Sequence, residues 1–192
     1  MLNSETYSYP DKFTDILLRT RNSGFNMASD IHTGSLLKTL AASKQNARFL
    51  ELGTGTGLST SWLLSGMDER SALLSVDHDP AFLTIAQEYL SSDPRLTLVQ
   101  QDAGEWLLEN KELKFDFIFA DTWHGKFLEL ETCLAMLDKG GIYFIDDLLP
   151  QPNWPDGHDQ KVRHLIRDLD NRADLSLTRL HWSTGVIVAV KR

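Results

Sequence analysis

The chain has 192 residues, 42% of them hydrophobic and 24% charged, which suits one domain with a full core and excludes a disordered or fibrous chain. A formal charge of -8 and a pI of about 5.2 exclude the cationic face that grips nucleic acid or anionic membranes. The one cysteine, Cys133, excludes an intramolecular disulfide and a cysteine-based zinc cluster.

Met1–Pro10 is polar and lacks the apolar core of a signal peptide, and no apolar run reaches membrane-spanning length. The expectation is a reduced, cytoplasmic protein. Residues 1–46 read as a helical segment with apolar positions Ile16, Leu17, Leu36, Leu37 and Leu40. From there helical and strand patterns alternate, which predicts an α/β fold with a mainly parallel sheet and helices on both faces. The predicted strands are Arg48–Leu52, Ala72–Asp77, Leu96–Gln100, Phe115–Asp121 and Ile142–Asp146. Several are nearly continuous apolar runs, as strands covered on both faces require. Asp79-Pro80 reads as a helix N-cap followed by proline in the first turn. Phe127, Leu130, Leu134 and Leu137 form one helical stripe, and Val162, Leu165, Ile166 and Leu169 another. Pro150, Pro152 and Pro155 stiffen a loop. Asp174–Trp182 and Val186–Lys191, joined by Ser183-Thr184-Gly185, predict a closing antiparallel hairpin. The whole reads as one domain over residues 1–192, the segment 1–46 packing on a core of residues 47–192.

The first strand runs into Gly53-Thr54-Gly55-Thr56-Gly57, and Asp77 ends the next strand. The spacing departs from the dinucleotide fingerprint G-x-G-x-x-G, because Leu58 stands where the third glycine belongs. The turn carries an acid, Glu51, and no Lys or Arg, the wrong sign for a phosphate cradle. Glycines with carboxylates suit ribose hydroxyls, an ammonium and a sulfonium, which points to S-adenosylmethionine. Acids end five successive strands: Glu51, Asp77, Asp102, Asp121 and Asp146-Asp147. In open α/β sheets ligands bind at those ends. Asp77 is the expected ribose ligand. Asp102 is read both as an adenine contact and as the cap of a capping box with Glu105.

At these residues the chain resembles the class I S-adenosylmethionine-dependent methyltransferases, from about Met27 onward, and within them the catechol and caffeoyl-CoA type O-methyltransferases. The resemblance implies a Rossmann-like seven-stranded sheet whose last strand is antiparallel, and a homodimer. Met27-Ala28-Ser29 followed by Gly34 resembles the segment beside the methionine end of the cofactor. Glu51 and Ser59 match positions around its amino-acid moiety. The cofactor set expected on this basis is Met27, Ser29, Glu51, Gly53, Thr54, Gly55, Gly57, Ser59, Asp77, His78, Asp102, Ala103 and Asp121.

Asp121, Asp146 and Asp147 lie at two neighbouring strand ends and could share one hard divalent cation such as Mg²⁺. Such an ion lowers the pKa of a hydroxyl acceptor, and a nearby base takes its proton. In the family resembled, Asp-x-x-Lys after the fourth strand supplies a metal ligand and the base, and Asp-Asn after the fifth supplies two more ligands. Here Asp121 matches the first ligand and Trp123 an aromatic that packs on the acceptor. His124 stands in place of Lys and Asp147 in place of Asn. His124 is read as the base, since an imidazole titrates near ~6.5, with metal ligation as its alternative. Trp154 either covers an aromatic acceptor or pins its loop. His158 reads as a surface histidine, Trp62 and Trp106 as core, Cys133 as a buried thiol, and His181 and Trp182 as packing or subunit contacts. The expected activity is methyl transfer, assisted by a divalent metal, to a hydroxyl of a small molecule, aromatic acceptors included. A metal-independent enzyme with His124 oriented by Asp146 or Asp147, and a non-catalytic cofactor-binding domain, stand beside it. An NAD oxidoreductase is disfavoured by the glycine spacing.

Overall fold

The computed structural model describes residues 7–152 and 154–192; Met1 to Thr6, part of the polar N-terminal stretch, lie outside the described residues. Two helices come first, α1 (Phe13–Ser23) and α2 (Ile31–Ala42). An alternating series follows: β1 (Arg48–Leu52), α3 (Leu58–Gly66), β2 (Ala72–Asp77), α4 (Pro80–Leu90), β3 (Leu96–Gln100), α5 (Ala103–Glu109) and β4 (Phe115–Ala120). The chain closes with α6 (Leu130–Ala135), β5 (Leu137–Ile145), α7 (His158–Asp170), β6 (Leu175–Leu180) and β7 (Val186–Lys191).

The seven strands form one sheet in the order β3-β2-β1-β4-β5-β7-β6. All pairs are parallel except β5 with β7 and β6 with β7. The α/β reading, the parallel core and the antiparallel terminal hairpin are therefore found as expected. The chain order reverses direction between β1 and β4, so their carboxyl ends flank the switch point where ligands bind in such sheets.

Strand alternation sorts the core into two faces. Phe49, Phe117, Phe119 and Phe144 point to one side, against Phe13, Ile16, Leu37, Trp62 and Leu63 from α1, α2 and α3. Leu50, Leu52, Ile118, Tyr143 and Ile145 point to the other, against Trp106, Leu107, Leu134, Val162 and Leu165 from α5, α6 and α7. Burying each such side chain contributes roughly 1.5–3 kcal/mol. Trp62, Trp106 and Cys133 are core residues as expected. No helix among the described residues is long and apolar enough to cross a membrane.

Two local signals act as expected. Asp79 accepts from the amides of Ala81 and Phe82 and starts α4 at Pro80. Asp102 accepts from the amides of Gly104 and Glu105 and starts α5. One stripe is corrected. Phe127 precedes α6 and Leu137 opens β5, so the helix is shorter than the Phe127–Leu137 spacing predicts. Gly125 at φ 84 and Glu129 at φ 49 are left-handed, and neither conformation can sit inside an α-helix. Trp182 and His181 also resolve. His181 is exposed, whereas Trp182 donates to the His32 carbonyl at 3.1 Å and packs its ring edge-on against His32.

Candidate functional site

The glycine turn is fixed by contacts that leave no room for side chains. Gly53 has φ 103, and a Cβ there would lie 2.8 Å from the Asp121 carbonyl oxygen of the neighbouring strand end. Gly57 has φ 92, and its Cβ would press on Leu90 and Ala86 of α4. The backbone thus passes close to β4 on one side and α4 on the other. Asp77 is anchored twice: Oδ2 accepts from the Gly55 amide at 2.7 Å and Oδ1 from the Asp79 amide at 2.9 Å. Each oxygen keeps a second lone pair for a ligand hydroxyl.

Glu51 lies behind this turn, fully buried. Its Oε2 accepts from Thr60 and Ser75, both at 2.5 Å. Thr54 Oγ1 lies 2.6 Å from Ser75 Oγ and completes the chain to the turn. Burial pushes the Glu51 carboxyl up to about 7, against the opposing pull of the Ser75, Thr60 and Ser59 hydroxyls. Thr54 and Ser59 line a small recess in front of it, together with Met27, Ala28 and Ser29.

A cleft of about 430 Å³ opens beside the recess, lined by Phe25, Met27, Gly53, Gly55, Asp77, His78, Phe82, Asp102, Ala103, Asp121, Trp123 and His124. No Lys or Arg lines it among the described residues. Phe25 packs on Phe82 with centroids 4.6 Å apart. His78 stands on the rim, with 79% of its side chain exposed. The Asp102 carboxyl is held below the usual carboxylate range, first by the Glu105 amide. Carboxylates with no Lys or Arg among the described lining residues, an apolar slot and a glycine cradle fit S-adenosylmethionine and do not fit a dinucleotide's phosphates.

At β4 and β5 the arrangement differs from the expected metal site. Asp121 and Asp146 converge, with Ser29 Oγ 3.1 Å from Asp121 Oδ2 and 3.2 Å from Asp146 Oδ2. Having one proton, Ser29 donates to one of them at a time. Between the carboxylates stands Lys126, whose Nζ is 3.6 Å from Asp121 Oδ1 and 3.6 Å from Asp146 Oδ1. Nζ also donates to the Asp146 carbonyl at 3.2 Å. Burial and the neighbouring Asp146 push the Asp121 carboxyl well above its ordinary value, with Lys126 opposing. Asp147 turns elsewhere. It adopts φ 58, and Trp154 Nε1 donates to its carboxylate, 3.1 Å from either oxygen. Burial raises the Asp147 carboxyl. The set Asp121, Asp146 and Asp147 therefore does not fit a divalent cation. An ammonium stands between two of the oxygen donors and an indole holds the third. Among the described residues no group of three His, Cys, Asp or Glu has the arrangement of a metal site.

His124 is not oriented by Asp146 or Asp147. Its Nδ1 lies 2.5 Å from Glu129 Oε2, and its Nε2 3.6 Å from Asp102 Oδ2. Trp123 is 44% exposed, with Lys161 Nζ 3.7 Å above its ring. Phe127, Trp154 and Trp123 surround His158. That histidine is buried, contrary to the surface reading, and neither ring nitrogen finds a hydrogen-bond partner among the described residues. Burial holds its pKa down. Lys126, Glu129 and His158 are the site residues that sequence reasoning missed. Lys126 carries a usable signal: it is a lone cation two residues beyond the position where the resemblance places a lysine. Glu129 and His158 carry none.

The strand order, with its antiparallel closing hairpin, and the carboxylate-lined cleft over the glycine turn are those of a methyltransferase domain. A family model described as a methyltransferase domain matches residues 50–148, just over half of the chain, and the chain belongs to that family. A Mycobacterium ulcerans protein named "Putative O-methyltransferase" is 33% identical over 92 residues, 46% of this chain and 41% of that protein. The chain thus aligns with less than half the length of such curated relatives. Among solved structures, the O-methyltransferase of Bacillus cereus in complex with SAH superposes with a TM-score of 0.80 at 20% identity, covering 100% of this chain and 94% of that one. The O-methyltransferase TomG of Streptomyces achromogenes, solved with SAM, gives 0.79 at 22% identity over 100% and 92%. At these identities the structures speak for a shared fold.

Proposed function

We propose that this protein transfers a methyl group from S-adenosylmethionine to a hydroxyl of a small, aromatic-type acceptor. One observation carries the reading. The cleft over Gly53, Gly55 and Asp77, with no Lys or Arg among its described lining residues, is continuous with Trp123 and Asp121, so a methyl donor seated in it would face the aromatic cluster. When bound, S-adenosylmethionine supplies an electrophilic methyl; the protein supplies position and electrostatics. In this reading Asp77 holds the ribose hydroxyls. Asp102, Ala103 and His78 border the adenine. Gly53, Thr54, Gly55, Gly57 and Ser59, backed by Glu51, cradle the amino-acid end, with Met27, Ser29 and Asp121 opposite. Trp123 and Trp154 border the acceptor. His124 takes the acceptor's proton at Nε2, its Nδ1–H held by Glu129 as a carboxylate fixes an imidazole tautomer. The segment 1–46 belongs to the same unit as residues 47–192, supported by the Ser29 contacts to Asp121 and Asp146.

The test is release of S-adenosylhomocysteine across a panel of phenols and catechols, with amine and thiol acceptors as controls. Hydroxyl-dependent turnover is expected. Tight cofactor binding without turnover on any acceptor would instead make the chain a cofactor-binding domain. His124→Gln is expected to lower kcat with little change in cofactor affinity; the reverse split would move His124 into the adenine pocket.

A further inference from the structure

We propose that Lys126 is the resident cation of the acidic site, its ammonium holding between Asp121 and Asp146 the place a divalent ion would take. Its Nζ is equidistant, at 3.6 Å, from one oxygen of each carboxylate, and it donates to the Asp146 carbonyl. Three oxygens from two strand ends around one positive centre is the environment of a hard ion, here filled by a side chain. The ammonium is not a surface group that swung in. Its side chain is 6% exposed, and an ammonium stays buried only when its charge is compensated. Asp146 needs it equally, because its buried Oδ1 accepts no hydrogen bond among the described residues.

The backbone that carries Lys126 is also fixed. Gly125 sits at φ 84, where a Cβ would lie 2.7 Å from Leu52 Cδ1. The Gly125 carbonyl accepts from the buried Tyr143 hydroxyl at 2.5 Å. The Lys126 and Phe127 amides donate back to the Trp123 carbonyl at 3.3 and 2.8 Å. A clamped turn therefore aims the lysine inward. A divalent ion entering here would meet one ammonium and, with Asp147 engaged by Trp154, lack its third carboxylate. On the function proposed above, the reaction at this site then needs no bound metal.

The test is a Mn²⁺ titration of the full chain with S-adenosylhomocysteine, following free Mn²⁺ by electron paramagnetic resonance. It reads binding, so it remains decisive even if no acceptor is methylated. Wild type and Lys126→Arg are expected to show no Asp146-dependent uptake below about 1 mM. Lys126→Met, which keeps the length and removes the charge, is expected to take up Mn²⁺ at least ~10-fold more tightly, and adding Asp146→Asn is expected to abolish the gain. Wild-type uptake that Asp146→Asn removes would overturn the proposal. So would a folded Lys126→Met no better than wild type. If Lys126→Met does not fold, the comparison of wild type with Asp146→Asn decides alone.

Discussion

The acids at the ends of β2 and β3 and those at the ends of β4 and β5 are held by different chemistry. Asp77 and Asp102 accept from backbone amides within a few residues or in the adjoining glycine turn. Asp121 and Asp146 depend on side chains instead, Ser29 from the α1–α2 loop and Lys126 from the turn after β4. Backbone amides are placed by the fold itself, so the first pair is preorganised wherever the sheet forms. The second pair exists only when α1–α2 loop, turn and strand ends all meet. In the function proposed above, the cofactor half is thus a property of the architecture, and the acceptor half a property of this chain.

The two halves touch at Gly53, where the turn runs against the Asp121 carbonyl. Gly53→Ala is the change expected to do most. It forces an L-residue to φ 103 and drives a Cβ to 2.8 Å from that oxygen. The expected cost is about 3 kcal/mol in urea unfolding, with loss of S-adenosylhomocysteine binding in calorimetry. A cost under about 1 kcal/mol would show that the halves move independently.

Glu51 gives a comparable effect that depends on pH. Its carboxyl titrates near 7 in the folded protein and near 4.5 when free, so between these values the native state binds the extra proton. The stabilisation is complete below pH 4.5 and is lost as pH rises through 7. The full swing is on the order of 3 kcal/mol. Glu51→Gln has no such proton. Wild type is therefore expected to lose stability relative to the variant across that window. Parallel curves would mean that Glu51 stays ionised beneath the turn.

Asp77→Ala comes next. It removes the partner of the Gly55 amide and the proposed ribose acceptor together, for an expected loss of about 2 kcal/mol or ~30-fold in affinity for S-adenosylhomocysteine. An affinity within about 3-fold of wild type would remove Asp77 from the cofactor site.

The same contrast governs what the sequence reveals. Asp79 and Asp102 accept from amides two and three positions away, and the glycines mark a turn between a strand and a helix, so spacing alone identifies them. The strands announce themselves because β-alternation and apolar runs are local properties. Lys126 is hidden because one partner, Asp146, is twenty residues away, and because the turn that aims it is fixed by contacts of Gly125 with Leu52 and Tyr143, on other strands. His158 reads as polar and exposed, yet Trp154 of its own loop and Trp123 and Phe127 of the turn after β4 enclose it. Asp147 looks equivalent to Asp146 in sequence, and only a left-handed backbone and the Trp154 indole separate their roles.

The smallest expected effect isolates the break in the Phe127–Leu137 stripe. Glu129 holds φ 49 at the start of α6, a conformation that disfavours residues with a Cβ by roughly 1–2 kcal/mol. Its carboxylate binds His124, so the strain and the contact belong to one residue. Glu129→Ala and Glu129→Gly both remove the contact, but only glycine relieves the backbone. Glycine is more flexible in the unfolded chain, which offsets part of that relief. Glu129→Gly is therefore expected to be the more stable of the two by about 1 kcal/mol in denaturant unfolding, both lying below wild type. If alanine proves equal or better, the backbone at Glu129 is unstrained, and the helix starts late because of Gly125 alone. If glycine wins, the chain tolerates a strained residue at the one place where its carboxylate can hold His124 against the cleft.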